Sequence, residues 1–476
     1  METVYSSEHR TISPDIIKEL VNVLGEENVF TTDAERYAHG RDFWLITNLW
    51  FLKGKIPAYP GVVVYPSTSE EVSEIVKISQ KHKIPIVPYG GGSGVLGGAI
   101  PIKGGIVIDL KKMNKFIEIS DASLTATVES GMNGWRYEEY LNYKGYTGGH
   151  IPQSLPDSTV GGWIACRAAG QYSTKYGKIE DIVVAVKAIM PDGSIVESRK
   201  VPRSSTGPRL EQLLLGSEGT LGIITEATLR IWPYPERRVL LSYSYETLEP
   251  ALESVRMILR KDVRPAVVRI HDPQELELYF SDVAEELEGR FILIFVIEGN
   301  SEVVDTWQRI VEKECVAHGG RPEGEKPVQS WLKHRFDVHA ATESTMQGAI
   351  VDTIEISGRW EIAADLYHKC IESLNKLDLI YASGHYSHFY TDGVCLYLTF
   401  GGFPEGDVVK EYEKMWDGVM RITLELGGSI SHHHGIGIWR MKWLKEELGE
   451  YTTVISRIKK ALEPAGVMNT GKIGGE

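Results

Sequence analysis

The glycine-rich stretch from Gly90 to Gly98 constrains the fold of this chain more than any other sequence feature. It contains Gly92-Ser93-Gly94-Val95-Leu96-Gly97, which matches the GxGxxG pattern of dinucleotide-binding folds. That fold requires a helix to begin at the glycines, because the helix N-terminus holds the pyrophosphate. Here the chain continues with Gly98-Ala99-Ile100-Pro101-Ile102-Lys103-Gly104-Gly105, which cannot form the first turns of a helix. The sequence therefore excludes a Rossmann turn at this position.

A loop of consecutive small residues can instead bind an anion, because its backbone N–H groups can form a nest around the negative charge. The alternative interpretation is a flexible surface turn. Ordering so many glycines between two buried strands costs conformational entropy, which favours a bound ligand as the reason for the loop.

Two further segments combine glycines with hydroxyl and short side chains. The first runs from Pro156 to Gly162 and leads into the Ala-rich stretch Ile164 to Gly170. The second runs from Gly216 to Ile224. Backbone this free of bulky side chains can lie against a flat cofactor. Three such segments in one region predict a nucleotide-type cofactor.

The run Ser431-His432-His433-His434-Gly435-Ile436-Gly437 predicts a site of proton transfer, because histidine exchanges protons near neutral pH. A polar turn is the alternative. In an extended segment His432 and His434 face one way and His433 the other, so at most two of the three address a substrate. His385 and His388 raise the question of a metal site. Adjacent histidines of an extended chain cannot converge on one ion, and no clear carboxylate ligand accompanies them, so we predict no metal.

Size and charge limit the class of protein. A chain of 476 residues implies two or more domains, and a net charge of −14 argues against nucleic-acid binding. The four cysteines lie far apart, which indicates reduced thiols in a cytoplasmic protein. We find no signal peptide and no apolar run near the ~20 residues of a membrane helix, although peripheral membrane association stays open.

The alternation of strand and helix patterns predicts an α+β protein with four parts. These are an N-terminal helical segment (1–55), a cofactor domain (56–236), a second α+β domain (237–430) and a C-terminal segment (431–476) that packs where the histidine run is needed. Ser13 before Pro14 predicts a helix start, Ser69 opens a helix to about Lys81, and one helix is expected over 442–462.

These segments together resemble the FAD-binding domain of the vanillyl-alcohol oxidase family, the PCMH-type flavoproteins. The resemblance rests on the segments 66–72, 88–94, 108–110 and 216–226, and on the tail 468–473, and it covers the chain from about residue 56 to its end. It implies an FAD-binding domain of two α+β subdomains, an α+β substrate-binding cap with an antiparallel sheet, and a homodimer. No histidine lies in or next to the glycine loop, so we expect FAD bound without a covalent link.

The resemblance assigns FAD contacts to the three small-residue segments, with the pyrophosphate at the glycine loop. The expected FAD-binding residues are Pro88, Tyr89, Gly90, Gly91, Gly92, Ser93, Gly94, Gln153, Ser154, Pro156, Asp157, Ser158, Thr159, Gly162, Cys166, Arg167, Ala168, Ala169, Glu218, Gly219, Leu221, Gly222, Ile223 and Ile224.

Within this family the triple histidine is most similar to the alkyldihydroxyacetonephosphate synthases, whereas the related glycolate and D-lactate dehydrogenases carry a Gly-Glu-His-Gly type sequence there. Position by position, the likeness implies catalytic roles for His432, His433, His434 and Tyr397 and substrate binding by Arg269. A buried strand tyrosine and a surface salt bridge are the alternatives for Tyr397 and Arg269. The synthases carry an essential arginine where this chain has about Ala341, so the substrate stays open.

The sequence thus predicts a synthase-like FAD enzyme that acts at flavin N5 on a small anionic substrate, a phosphate or a carboxylate, with histidine acid–base catalysis. The first alternative is an FAD-linked D-2-hydroxy-acid dehydrogenase that passes electrons to an iron–sulfur protein or an electron-transfer flavoprotein. The second is an FAD-binding subunit of an electron-transfer complex.

Overall fold

The computed structural model describes residues 10–280, 282–287, 289–337, 339–377, 381–403 and 406–474. Within them the chain forms three large β-sheets, each covered by helices. The helices are α1 Pro14–Leu24, α2 Asp33–Ala38, α3 Leu45–Leu52, α4 Ser69–His82, α5 Gly134–Tyr143, α6 Val160–Cys166, α7 Ser173–Tyr176, α8 Ile179–Ile182, α9 Leu210–Leu214, α10 Leu248–Arg260, α11 Pro273–Tyr279, α12 Ser301–Ala317, α13 Lys326–His334, α14 His339–Met346, α15 Ala363–Asn375, α16 Val408–Glu425, α17 Met441–Leu448 and α18 Tyr451–Leu462.

The strands fall into three large sheets and one two-stranded pair. They are β1 Val29–Phe30, β2 Val62–Val64, β3 Ile86–Tyr89, β4 Ile106–Asp109, β5 Phe116–Ser120, β6 Thr125–Glu129, β7 Tyr146–Thr147, β8 Val183–Ile189, β9 Ile195–Glu197, β10 Ile223–Arg230, β11 Trp232–Pro233, β12 Arg237–Tyr245, β13 Val267–His271, β14 Phe291–Gly299, β15 Arg321–Pro322, β16 Ile350–Arg359, β17 Tyr381–Phe389 and β18 Gly393–Gly402.

The first sheet has the order β1-β2-β4-β3, and β4 pairs in parallel with both β2 and β3. Its central strands β2 and β4 are buried and, except for Asp109 at the end of β4, apolar, as expected for strands covered on both faces. Helices α1 and α4 share its core. The glycine loop leaves this sheet at the end of β3, so the strand fixes where the loop begins.

The second sheet has the order β5-β6-β10-β8-β9 and is antiparallel. Helices α5 and α6 contribute to its core. Thr159 caps α6, since its side chain accepts a hydrogen bond from the Gly162 amide. The two remaining small-residue segments therefore lie at α6 and at the start of β10.

The third sheet has the order β15-β12-β14-β13-β17-β18-β16, and all its pairs are antiparallel. Its register places His271 opposite His385, His385 opposite Tyr397, and Tyr397 opposite Glu355. Residues directly opposite each other lie on the same face of a sheet. Four strands thus present one row of polar side chains.

The C-terminal tail returns to the first sheet after α18. The Asn469 amide donates to the Ile86 carbonyl, and Met468 forms a bridge with Ile86. The Lys472 ammonium donates to the carbonyls of Gly98 and Ile100, so the tail fastens the far end of the glycine loop.

The structure matches the predicted local elements in most places. Ser13 caps α1, and α4 begins at Ser69. The single helix expected over 442–462 is wrong, because the chain breaks at Gly449 into α17 and α18. All four cysteines are free thiols. No helix in the described ranges is long and apolar enough to cross a membrane.

Candidate functional site

The histidine run is folded around one carboxylate. Glu355 Oε1 accepts hydrogen bonds from the amides of His432, His433 and His434, at 3.2, 3.0 and 2.7 Å. Glu355 lies in β16 and is fully buried. Three consecutive N–H groups converging on one oxygen require a bent backbone, and the run consists of bends. The expectation of an extended run is therefore wrong.

Arg440 completes the support of the run. Its guanidinium forms a buried ion pair with Glu355 and donates to the Ser431 hydroxyl at 2.8 Å and to the Gly435 carbonyl at 3.1 Å. Burial alone raises the pKa of Glu355, but the Arg440 and His434 side chains and the run's amides together hold that pKa below its usual value. Glu355 is thus charged, as its three amide bonds require.

A second carboxylate holds the other end of the run. Glu218 Oε1 accepts from the Ile436 amide at 2.6 Å, and Glu218 Oε2 accepts from the Gly437 amide at 2.9 Å. Glu218 belongs to the segment that precedes β10, so the run is clamped between the second sheet and the third. The FAD contact expected at Glu218 stays a prediction; in the structure its carboxylate holds the run.

The three imidazoles have different surroundings. His432 is bonded at both ring nitrogens, through Nε2 to the Tyr390 hydroxyl at 2.9 Å and through Nδ1 to His433 Nδ1 at 2.8 Å. Its carbonyl accepts from the Lys178 ammonium at 2.6 Å. These bonds hold the His432 ring and backbone in place, and its catalytic role stays a prediction.

His433 and His434 keep their Nε2 atoms available, since no protein partner within the described residues bonds to those atoms. His434 Nδ1 lies 3.3 Å from Glu355 Oε2, a close electrostatic contact, but that nitrogen makes no hydrogen bond within the described residues. Burial lowers the pKa of both imidazoles, most strongly for His433. Both are therefore neutral near pH 7 and able to accept a proton.

Tyr397 and Arg269 lie on the same face of the third sheet. The Tyr397 ring stacks on His385 with centroids 4.9 Å apart and faces His433 at 6.1 Å. Its hydroxyl donates to Thr353 Oγ1 at 3.0 Å. Arg269 is buried and donates to His385, so the alternative of a surface salt bridge is wrong. All five predicted catalytic residues thus lie in one connected cluster.

Two groups of side chains in this cluster could hold a metal ion. The first is His388, His432 and His433, and the second is His271, Glu275 and His385; within each group the ligand atoms lie within 4.8 Å of one another. Adjacent histidines do converge here, and Glu275 is a carboxylate within reach. Both geometric reasons for predicting no metal are therefore wrong, while the prediction itself stays untested.

The glycine loop lies against the segment 157–159 so closely that side chains are excluded. A Cβ on Gly90 would lie 2.3 Å from Thr159 Oγ1, and a Cβ on Gly91 would lie 1.8 Å from the Asp157 carbonyl oxygen. The described part of the chain offers no acceptor bonded to the amides of residues 91–94. A half-buried loop with several unused N–H groups fits a diphosphate such as that of FAD.

Several other residues predicted to bind FAD make hydrogen bonds or packing contacts within the protein. The Ser158 hydroxyl accepts from the Trp163 indole at 2.7 Å, and Arg167 forms the left-handed end of α6. Ile223 and Ile224 are buried in β10, opposite Ile189 and Ala188 of β8. Gln153 is exposed. FAD contacts at these positions remain predictions, and the remaining predicted residues lie in the same three segments or, for Pro88, Tyr89 and Ser154, directly before them.

Sequence reasoning missed several residues of the site, listed here with the partner that each one holds. Glu355 and Arg440 support the run, Lys178 holds the His432 carbonyl, Tyr390 holds the His432 ring, and the Ser173 hydroxyl bonds to His388 Nδ1 at 2.6 Å. None of these lies in a recognisable motif. Ala341, where an expected arginine is missing, lies in α14, in a stretch whose side chains are outside the described part of the structure.

Two family models match this chain. Residues 60–199 match the FAD binding domain, and residues 234–473 match the C-terminal domain of FAD linked oxidases. The chain therefore belongs to the FAD-linked oxidase family, and it is an FAD-dependent oxidoreductase.

Relatives span nearly the whole chain. The FAD-linked oxidoreductase YgcU of Escherichia coli strain K12 is 31% identical over 480 residues, which cover 96% of this chain and 98% of YgcU. The mitochondrial D-lactate dehydrogenase [cytochrome] of Arabidopsis thaliana is 28% identical over 485 residues, covering 99% of this chain and 82% of the relative.

Solved structures confirm the α+β, PCMH-type fold. An alkyldihydroxyacetonephosphate synthase superposes with a TM-score of 0.84 at 25% identity, covering 98% of this chain and 88% of the synthase. p-Cresol methylhydroxylase superposes with a TM-score of 0.77 at 17% identity, covering 98% of both chains, which shows the fold alone. The resemblance inferred from the sequence motifs is confirmed.

Proposed function

We propose that this flavoenzyme oxidises a small 2-hydroxy acid. The observation that carries the proposal is the placement of Arg269, a receptor for a carboxylate, in the same buried cluster as the neutral His433 and His434. Oxidation of a 2-hydroxy acid needs both parts, since the carboxylate must be bound while the hydroxyl proton is removed.

FAD supplies the hydride acceptor when it is bound, and the protein residues supply binding and proton transfer. The Arg269 guanidinium forks onto the substrate carboxylate. His434, whose backbone amide is held by Glu355, accepts the hydroxyl proton at Nε2, and His433 is the second candidate for this role. The glycine loop and the segment 157–159 hold the cofactor diphosphate, without a covalent link to the flavin.

A redox-neutral, synthase-like reaction on a small anionic phosphate is the second candidate. The triple histidine and the superposition on the synthase at a TM-score of 0.84 favour it. The absence of arginine at about Ala341 and the relationship to YgcU and to a D-lactate dehydrogenase favour oxidation. Under the oxidative proposal an iron–sulfur protein or an electron-transfer flavoprotein accepts the electrons from a homodimeric enzyme.

One experiment separates these proposals. Purified protein is mixed without oxygen with D-lactate or with glycolate, and flavin absorbance near 450 nm is followed. Bleaching supports oxidation of the 2-hydroxy acid, and the R269K variant should then need a much higher substrate concentration to bleach half of the flavin. A flavin that stays oxidised with every small 2-hydroxy acid favours the synthase-like candidate, or an electron-transfer subunit without turnover. Acid precipitation should release FAD into the supernatant; flavin in the pellet contradicts non-covalent binding.

A further inference from the structure

Arg269 is held by a buried network that takes no direct part in the proposed proton transfer. Its guanidinium contacts His271 Nε2 through Nε at 3.2 Å and His385 Nε2 through Nη2 at 2.5 Å. On the far side of the two rings, His271 Nδ1 lies 2.5 Å and His385 Nδ1 lies 2.8 Å from the Glu275 carboxylate. All four side chains are buried: Glu275 and His271 are at most 1% exposed, and His385 and Arg269 are 6% and 8% exposed.

The donor and acceptor chemistry fixes the protons of this network. A guanidinium has only donors, so both Nε2 atoms that face Arg269 must accept. A neutral imidazole then carries its proton on Nδ1, and both Nδ1 atoms face Glu275, which accepts. Burial lowers the pKa of His271 to about 3 and that of His385 well below its ordinary value, so both rings are neutral.

The same pattern argues against a metal ion at His271, Glu275 and His385. A metal bound to the Nδ1 atoms would move each ring proton to Nε2, where it would face the N–H groups of Arg269. Two donors cannot share that contact. The hydrogen bonds in the structure therefore favour a hydrogen-bonded network that links the Glu275 carboxylate to the Arg269 guanidinium through two neutral imidazoles, and they argue against a metal site.

We propose that Glu275, acting through His271 and His385, is the positioning residue that orients Arg269 as the receptor for the substrate's anionic group. This inference rests on the proposed function for the identity of that group, a carboxylate. The network holds the guanidinium at two points, so little of its freedom remains to be lost on binding. The imidazoles also keep Glu275 off the guanidinium, so Glu275 balances the buried charge without competing for Arg269 as an ion-pair partner.

The position of the Arg269 guanidinium also affects the other side chains of the cluster. The positive charge of Arg269 also acts on His388, whose pKa is lowered by burial first and then by the neighbouring cations. Arg269 is further packed on the Trp331 ring at 5.2 Å. A guanidinium released from His271 and His385 would change both the anion site and the surroundings of the histidine run.

The test measures anion binding to the FAD-loaded enzyme by calorimetry, with acetate and inorganic phosphate as probes. Glu275→Gln should weaken binding of the better probe roughly 10- to 100-fold, with FAD content unchanged. Glu314→Gln is the matched control, since Glu314 is a buried carboxylate of the same domain that pairs with Lys261 away from the site. It should leave anion binding unchanged.

A double-mutant cycle shows whether Glu275 acts through Arg269. In the R269K background, E275Q should add less than about a twofold further loss, because the arginine that it positions is gone. Equal losses in both backgrounds overturn the proposal, as does wild-type protein that binds neither anion. If the variants bind anions as expected but the enzyme turns over no 2-hydroxy acid, the proposed function is contradicted and the positioning role of Glu275 still stands.

Histidine tautomers provide a test that needs no folded E275Q. In ¹⁵N-histidine-labelled wild-type holoenzyme, His271 and His385 should both show the Nδ1–H tautomer, with assignment by the H271Q and H385Q variants. Nε2–H tautomers, or a stoichiometric metal that is lost in either variant, overturn the proposal in favour of a coordination site.

Discussion

Glu355 and Arg440 form a fully buried ion pair beneath the histidine run, although 85 positions separate them in the sequence. The pair also anchors the run, because one oxygen of Glu355 accepts hydrogen bonds from the backbone amides of all three histidines. Arg440 reaches past it to the Ser431 hydroxyl and to the Gly435 carbonyl. The position of every imidazole in the run therefore depends on this one pair.

Replacing Glu355 by glutamine should destabilise the protein strongly. The change leaves the Arg440 charge buried without its partner, which costs about 3–5 kcal/mol of unfolding free energy. Urea denaturation of the FAD-loaded protein measures the loss. Glu411→Gln is the control, since Glu411 pairs with Lys414 at the surface and should change the free energy by about 1 kcal/mol or less. Equal effects of the two substitutions would show that the buried pair is not stabilising.

Lowering the pH should reduce the difference in unfolding free energy between the wild-type protein and the E355Q variant. The folded-state pKa of Glu355 lies below its unfolded value of 4.5. A carboxylate of this kind stabilises the fold fully above the unfolded pKa and loses that contribution as the pH falls toward the folded pKa. The difference in unfolding free energy between the two proteins should be constant from about pH 6 to 8 and shrink below 4.5. A difference that grows in acid contradicts a lowered pKa.

The glycine loop and the histidine run show what sequence reasoning could reach in this chain. A Rossmann turn could be excluded from local sequence, because Pro101 and the glycines that follow Gly97 prevent a helix there whatever the rest of the fold is. Helix α4 was predicted for the same local reason, with a cap and an apolar period. The three small-residue segments and the family resemblance then identified FAD correctly.

The shape of the histidine run could not be read from its own residues. Its bend is imposed by Glu355, which lies 77 positions before His432 on another strand. Strand β16 itself gave no clear signal, since polar residues such as Asp352 and Glu355 interrupt its apolar pattern. The row from His271 to Glu355 exists only through the register of four strands, and sequence alone does not fix that register.

Substitutions in the run should separate catalytic from structural histidines. H433A or H434A should reduce turnover about 10²–10⁴-fold with FAD content unchanged, because no described protein group bonds to their Nε2 atoms. H434A should leave stability nearly unchanged, whereas H433A should lower it slightly by removing the bond to His432 Nδ1. H432A should lower stability more, since that ring bonds both to Tyr390 and to His433.

The measurements are steady-state kinetics, thermal unfolding and the ratio of flavin to protein absorbance. His368→Ala is the matched control, because His368 is exposed and bonds to Glu249 far from the run. Full activity in both H433A and H434A would remove these residues from the mechanism.

Gly91→Ala should separate cofactor binding from folding. The new Cβ would overlap the Asp157 carbonyl oxygen at 1.8 Å, so the loop must move away from the segment 157–159. Because that contact shapes the proposed diphosphate cradle, we expect purified G91A to be folded and to contain little FAD. The measurements are the flavin-to-protein absorbance ratio and far-UV circular dichroism. Gly401→Ala is the control, since its Cβ would meet its nearest atom at 3.4 Å, an ordinary contact. If G91A keeps a full complement of FAD, the cofactor diphosphate is held elsewhere in the domain.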